Sequence, residues 1–222
     1  MLRRCRQPDL LEVFRAALLG RIHLEECKDF GSHFLSDEAI PRIIQMNSIF
    51  SNETFSGTIN ATSSGAQSLT ISTSTDDLTI SGVIGGTTRP STIDISATGV
   101  ARTLSIDQDL SSTGNQTLTA AGGITISGAR TFTSTSGTIN TASALSGNNS
   151  FTISGNADID GAITGITTFS VSGTSNIGAD VTTSSTQTYS GAVTLSANVN
   201  LTGTTVTTNG TVAGGARNLT VT

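Results

Sequence analysis

The side chains that could do chemistry in this sequence are few, and most of them are paired aspartates. The three acidic pairs are Asp76-Asp77, Asp107 with Asp109, and Asp158 with Asp160. Residues two apart on a β-strand point to the same side, so two such carboxylates could converge as they do in glycoside hydrolysis. The competing interpretation is that Asp107 and Asp109 end a strand, and that residues 158–161 form a turn or a weak calcium-binding loop. Because neither Lys nor His occurs after residue 50, we expect no catalytic site.

The metal and thiol candidates all lie in the first fifty residues. His23 and Cys27 are four apart and would share a helix face, with Glu26 and His33 nearby. A structural zinc ion needs four ligands in a tetrahedron, and the paired CxxC or HxxxH spacing that supplies them does not occur. Cys5 and Cys27 could pair in an oxidising compartment. We therefore predict no metal site and no cofactor.

Threonine pairs separated by one residue suggest a different kind of surface, one that binds ice or another crystal. Examples are Thr131-Phe132-Thr133, Thr186-Gln187-Thr188 and Thr205-Val206-Thr207. Such a function requires a flat array with one pair in every structural repeat. The pairs fall at irregular intervals along the sequence, so we keep this function as an alternative.

The composition changes sharply near Phe50. Residues 51–222 hold 39 Thr, 27 Ser and 22 Gly, about half of that segment. This bias depletes helix formers and favours strands and turns. The segment has four Arg against nine acidic residues, so it carries the whole formal charge of −5. An acidic segment with four scattered Arg cannot neutralise a row of phosphates, which excludes nucleic acid as a partner.

One alternating phrase of apolar and polar residues recurs throughout residues 51–222. It occurs at Leu69–Ser72, Leu78–Ser81, Ile93–Ser96, Leu104–Asp107, Ile124–Ser127, Phe151–Ser154, Phe169–Ser172 and Leu219–Thr222. Successive side chains of a strand point to opposite sides, so each phrase predicts a strand with one buried face. This order argues against the disorder that Ser- and Gly-rich composition would otherwise indicate.

The spacing of the phrases predicts how the strands are arranged. Along Phe132, Phe151, Phe169 and Tyr189 the sequence numbers increase by 19, 18 and 20, whereas the intervals from Leu69 to Ile93 and from Ile80 to Leu104 are both 24. A period near 20 is typical of a solenoid. An antiparallel sandwich also has short strands and frequent turns, but the scarcity of aromatic residues and Pro favours the solenoid. We expect about eight or nine coils, a rod of about 40 Å, and an internal ladder of Phe132, Phe151 and Phe169.

Residues 1–50 form a separate, charge-rich segment. Leu11, Phe14, Leu18 and Ile22 lie at helical spacing and predict a helix over residues 9–28, and a second short helix is expected over residues 36–47, disturbed by Pro41. Charged residues interrupt the apolar stretch, so we do not expect the segment to be a secretory signal. We also expect no transmembrane helix, because no apolar stretch is long enough to span a membrane. The segment is either a helical cap on the first coil or an artefact of the gene model.

The stretch from Thr186 to Leu195, continuing through Gly203 and residues 209–212, resembles the repeats of large bacterial surface adhesins of the filamentous haemagglutinin type. A looser resemblance, in composition and residue pattern, extends over residues 55–222. It implies a right-handed parallel β-helix, a secreted or cell-surface location, export through an outer-membrane secretion partner, and adhesion to surface glycans or proteins of host or neighbouring cells. Leu219–Thr222 ends inside a repeated phrase, so we expect residues 51–222 to be a fragment of a longer array.

The sequence therefore predicts an all-β, right-handed parallel β-helix over residues 51–222, preceded by a short α-helical segment over residues 1–50. The expected function is structural or adhesive and non-catalytic. The alternatives are an ice- or surface-binding Thr-rich solenoid and a fragment of a glycan-active β-helix enzyme.

Overall fold

The computed structural model describes residues 42–45 and 53–222, and all regular structure in these ranges is β-strand. The strands are β1 (Arg42–Gln45), β2 (Glu53–Phe55), β3 (Leu69–Thr73), β4 (Leu78–Ile80), β5 (Ile93–Ala97), β6 (Leu104–Ile106), β7 (Leu110–Ser112), β8 (Gln116–Ala120), β9 (Ile124–Ile126), β10 (Arg130–Thr141), β11 (Leu145–Gly147), β12 (Phe151–Ile159), β13 (Ile163–Ile166), β14 (Phe169–Val171), β15 (Ser175–Ile177), β16 (Val181–Thr183), β17 (Thr186–Tyr189), β18 (Val193–Leu195), β19 (Val199–Thr202), β20 (Thr205–Thr208), β21 (Val212–Ala213) and β22 (Leu219–Val221). Every one of the eight alternating phrases contains a strand or begins one.

All strand pairs between these elements are parallel, and each strand pairs with its equivalents in the coils before and after it. The strands form three faces, visited in the same order in each coil. The first face contains β1, β3, β5, β8, the second halves of β10 and β12, β15, β18 and β21. The second face contains β2, β4, β6, β9, β11, β13, β16, β19 and β22. The third contains β7, the first halves of β10 and β12, β14, β17 and β20. The chain is a β-solenoid of about eight coils, as the sequence predicts.

The coils differ in length: the early coils are the longest, the coils after Leu145 are the shortest, and the last ones are slightly longer again, since Val181 pairs with Leu201, an interval of 20. On the second face, Leu78 pairs with Leu104, an interval of 26 in sequence number, whereas Leu145 pairs with Ile163, an interval of 18. The register of Leu69 with Ile93 confirms the predicted spacing of 24. The prediction that Ile80 and Leu104 are equivalent residues of successive coils is wrong, because Ile80 pairs with Ile106, an interval of 26.

The core is a continuous column of inward-facing apolar side chains from all three faces. The predicted ladder of three phenylalanines is present on the third face, with ring centroids 4.9 Å apart for Phe132 and Phe151 and 5.5 Å for Phe151 and Phe169. The structure extends it by a fourth ring, Tyr189, 6.0 Å from Phe169. Only Phe151 and Phe169 are in register. Phe132 pairs with Ile153, and Tyr189 with Val171, so the stack moves between two inward columns.

Two glutamines are buried in this core at positions where the alternation would place an apolar residue. Gln187 is fully buried, donates hydrogen bonds from Nε2 to the carbonyl oxygens of Val181 and Thr202 (2.9 and 2.8 Å), and accepts one from the Tyr189 hydroxyl at 2.9 Å. Gln116 Nε2 donates to the carbonyl oxygen of Thr133 at 2.7 Å and to the Ser112 hydroxyl at 3.2 Å, whereas its Oε1 has no hydrogen-bond partner among the described residues. A buried amide is tolerated when its polar atoms are bonded, so Gln187 takes the place of an aromatic ring in the stack.

The N-terminal prediction is wrong where it meets the described residues. Arg42–Gln45 lies within the helix expected over residues 36–47, but forms strand β1 and pairs in parallel with Leu69–Ser72. Arg-Ile-Ile-Gln contains two adjacent β-branched residues, which favour a strand over a helix. The helix predicted over residues 9–28 lies outside the described residues.

Candidate ligand-binding surfaces

The aspartates of the solenoid mainly connect successive coils. Those whose carboxylates accept a hydrogen bond from a neighbouring coil are Asp77, Asp107, Asp109, Asp158, Asp160 and Asp180. Their partners are backbone N–H groups, Ser hydroxyls and Asn side-chain amides. A hydrogen bond to a charged group contributes more than one between neutral groups. The acidic residues therefore help to hold the register of the stack.

Two of the three acidic pairs do not converge on one point. Asp76 is buried and accepts a hydrogen bond from the Thr75 hydroxyl, whereas Asp77 accepts one from the backbone N–H of Thr103 in the next coil. Asp107 follows β6, as expected of a residue that ends a strand, but the same expectation for Asp109 is wrong, because Asp109 directly precedes β7. Asp109 accepts a hydrogen bond from the N–H of Thr131 at 2.9 Å. These carboxylates serve separate local contacts.

Asp158 and Asp160 do lie close together, although not in the predicted turn. Asp158 is inside strand β12, since Gly155 bends the strand without ending it, and Asp160 follows the strand. The amide nitrogen of Asn140, in the preceding coil, donates to one oxygen of each carboxylate, both at 3.0 Å. The amide thus bridges the two acids, and the sequence alone did not indicate this partner.

Asp158 belongs to a row of outward-facing residues that follows the first face along the rod. In register order the row is Thr70, Asp94, Thr117, Asn140, Asp158, Asn176 and Thr194. Its amides and carboxylates are linked, because Asn176 Nδ2 donates to Asp158 at 2.8 Å and Thr194 Oγ1 donates to Asn176 at 3.2 Å. Partial burial raises the pKa of the Asp94 carboxyl in the same row.

A column of glycines borders this row at the corner between the third and first faces. Gly155, Gly173, Gly191 and Gly210 stack coil upon coil; a Cβ on Gly191 would lie 2.4 Å from the carbonyl oxygen of Gly173, and one on Gly210 would lie 2.5 Å from that of Gly191. No side chain larger than hydrogen fits at these contacts. The corner is therefore narrow and free of side chains.

A polar groove of about 430 Å³ lies beside the glycine column. Its lining residues are Thr138, Asn156, Ala157, Asp158, Thr174, Ser175, Asn176, Ala192 and Thr194. Asn156 Oδ1 accepts hydrogen bonds from the N–H and hydroxyl of Thr174, both at 3.0 Å. The Asn156 Nδ2 group makes no hydrogen bond to the described residues and remains able to donate to a ligand. The lining contains a carboxylate and no cationic side chain.

The third face instead carries two rows of hydroxyls, which we call the hydroxyl array. One row consists of Thr131, Thr152, Ser170, Thr188 and Thr207, and the other of Ser150, Thr168, Thr186 and Thr205. The Thr pairs at 186/188 and 205/207 are in direct register. The third pair is offset from these two, because Thr131 is in register with Thr152 and Ser170, and through them with Thr188 rather than Thr186. Two of the three predicted pairs therefore align, and Ser170 and Ser150 continue their rows with hydroxyls.

The described residues contain no group of three His, Cys, Asp or Glu side chains arranged to bind a metal ion, and no helix among them could cross a membrane. The sequence candidates Cys5, His23, Glu26, Cys27 and His33 lie outside the described residues.

The fold and its surfaces define a class of protein: a three-faced parallel β-solenoid whose faces expose different polar side chains. Comparison with known proteins finds no matching family model, curated protein or solved structure.

Proposed function

We propose that this solenoid is a non-catalytic structural or adhesive segment of a secreted or cell-surface bacterial protein. The observation that carries the proposal is the use of the acidic side chains as bridges between coils. Groups already engaged in holding the stack are poorly placed to act as general acid and base. Long rows of outward amides and hydroxyls offer many weak contacts, which suits adhesion along a rod.

Right-handed coiling, and export through an outer-membrane secretion partner as part of a longer repeat protein, belong to the same proposal. Their support is the resemblance to filamentous haemagglutinin-type repeats together with the parallel stacking of the coils. The expected partners are glycans or proteins on host or neighbouring cells.

The test measures adhesion and hydrolysis by the same purified chain. We expect saturable binding of chain-coated beads to cell surfaces, and no release of reducing ends from polysaccharides. The double substitution Asp158→Asn with Asp160→Asn serves as the catalytic control, and Asp107→Asn with Asp109→Asn as its matched counterpart. Hydrolysis that the first double variant abolishes and the second preserves would establish an enzyme and refute the proposal.

A second candidate function is binding to ice or another crystalline surface, which the hydroxyl array favours. Strands about 4.8 Å apart, with outward residues roughly 6.6 Å apart along each strand, give a repeating two-dimensional lattice of hydroxyls. Its test is thermal hysteresis. Thr186→Tyr, within the array, should abolish the effect, whereas Thr182→Tyr on the second face should preserve it. A chain without hysteresis would exclude ice as the ligand.

A further inference from the structure

We propose that the polar groove on the first face binds a short neutral oligosaccharide that lies along the rod axis. This inference rests on the adhesive function proposed above and assigns it a site and a ligand class. The groove residues are those that line the cavity between Thr138 and Thr194.

The three faces of the rod differ in the chemistry of their outward side chains. The corresponding outward row of the second face consists of residues that carry a hydroxyl. In register order they are Thr79, Ser105, Thr125, Ser146 and Thr164. The third face repeats that pattern in its hydroxyl array. On the first face, amides and carboxylates replace hydroxyls at Asp94, Asn140, Asp158 and Asn176, and two of these four residues, Asp158 and Asn176, line the groove. Coil stacking alone needs no such change, because hydroxyls occupy the equivalent rows elsewhere.

The groove is chemically complementary to a sugar. Sugar hydroxyls both donate and accept hydrogen bonds, so they match a surface that offers amide donors beside carboxylate and amide acceptors. Asn156 Nδ2 is an unused donor, and each Asp158 oxygen accepts one bond from an Asn and has a further lone pair available. The bonds between coils already fix these side chains, so a ligand would lose less side-chain entropy on binding.

Charge determines the class of glycan. The groove contains the Asp158 carboxylate, the Asp160 carboxylate shares the Asn140 amide with it, and no Lys or Arg lines the cavity. An anionic polymer such as a uronic acid chain would meet like charges without a compensating cation. The groove is therefore selective for uncharged sugars.

The direction of the ligand follows from the stacking. The groove crosses four coils, from Thr138 through Asn156 and Thr174 to Ala192, at intervals of about 4.8 Å, which gives a length of about 14 Å along the rod. Equivalent groups recur at each step, so an oligosaccharide of a few units meets similar contacts repeatedly.

The experiment titrates the full chain with neutral gluco-, manno- and galacto-oligosaccharides of two to four units, and with oligogalacturonate, by isothermal calorimetry. We expect at least one neutral series to bind and the uronic acid series not to bind. Thr194→Arg places a long side chain in the groove and should weaken binding at least tenfold. Its matched control is Thr182→Arg, because both residues are exposed and central in three-residue strands.

Asn156→Asp is a second variant that does not depend on filling the groove. It keeps the oxygen that accepts from Thr174 but removes the free amide donor, so affinity should fall several-fold while the circular dichroism spectrum stays unchanged. The absence of binding to every neutral series, an equal loss in Thr182→Arg, or preferential binding of oligogalacturonate would overturn the inference. If the Thr194→Arg variant still adheres to cells, the proposed function stands and uses another surface. If the unmodified chain does not adhere to cells, the proposed function itself is refuted.

Discussion

The aromatic side chains show how closely individual residues control this solenoid. Phe151 is fully buried and contacts the rings of Phe132 on one side and Phe169 on the other. Such ring pairs contribute about 0.5–1.5 kcal/mol beyond the burial of their area. One side chain therefore connects three coils.

Phe151→Ala should destabilise the chain by about 3–5 kcal/mol, because the substitution leaves a cavity and interrupts the ring stack. The outward neighbour Thr152→Ala is the matched control, and should change the free energy of unfolding by about 1 kcal/mol or less. Urea unfolding followed by circular dichroism measures both. Equal losses in the two variants would contradict the assignment of the inward face.

Tyr189 should make stability depend on pH at the alkaline end. Burial raises the pKa of its phenol well above the ordinary value, which is about 10. Between these two pKa values the unfolded state releases a proton that the folded state retains. The contribution of the neutral Tyr189 phenol to the free energy of unfolding is therefore complete below pH ~10, and it decreases as the pH rises above that value.

Tyr189→Phe tests this dependence, since Tyr189 is the single tyrosine of the sequence. At pH 7 the variant should be less stable by about 1–3 kcal/mol, because Gln187 loses the donor to its buried oxygen. Between pH 9 and 11, values chosen around the tyrosine pKa of about 10, the variant should lose less stability than the unmodified chain. Parallel losses in the two chains would show that another group titrates.

Individual residue types were predictable where the alternation is strong and uninterrupted. Leu69–Ser72 and Phe169–Ser172 each fall on a strand whose apolar residues are buried. Gln116 and Gln187 were missed, although each has the same parity as an apolar neighbour on its strand, Leu118 and Tyr189 respectively. That parity was the available signal. Which buried carbonyls would receive the amides depends on coils that are distant in sequence.

At the scale of the element, corners rather than strands determine the register. The glycine column at Gly155, Gly173, Gly191 and Gly210 allows the backbone of successive coils to come close together. Gly173 and Gly191 donate their N–H groups to the carbonyl oxygens of Gly155 and Gly173, at 2.9 and 3.1 Å. The corner thus contributes backbone hydrogen bonds where a side chain would separate the coils.

Gly191→Ala should destabilise the fold by about 1–3 kcal/mol or more, because its Cβ would overlap backbone atoms that cannot move independently. Gly86→Ala is the control: the nearest atom to its Cβ is a methyl group of Val83, 2.9 Å away, which can rotate. Thermal melting of both variants measures the difference. A Gly191 variant as stable as the Gly86 variant would mean that the corner is loosely packed.

The strand pairing explains why the aromatic spacings predicted the period only approximately. The sequence interval from Phe132 to Phe151 is 19, but Phe151 pairs with Arg130, so the true length of that coil is 21. The glycines at 155, 173 and 191 are spaced by 18, which equals the coil length in that part of the rod, but the prediction did not use this spacing. A packed ring can contact a neighbour two positions out of register, whereas a backbone corner cannot.

At the scale of the whole molecule, the sequence predicted the solenoid and about eight or nine coils, because a narrow apolar face repeated at a near-constant interval is buried only by stacking. It did not predict the polar groove. The groove depends on three coils placing Asp158, Asn176 and Thr194 side by side, and those residues are 18 apart on ordinary polar positions. Their proximity follows only from the register.

The unequal coil lengths have a mechanical consequence. The strands lie across the rod, so the backbone hydrogen bonds between coils run along it, and tension on the two ends would load successive coil interfaces in series. Detaching a short coil, such as the one from Leu145 to Ile163, shortens the rod by about 4.8 Å but frees up to about 60 Å of chain, whereas the longer coil from Leu78 to Leu104 frees up to about 90 Å. Single-molecule stretching should therefore show two classes of extension step, and a single uniform step would contradict coil-by-coil unravelling.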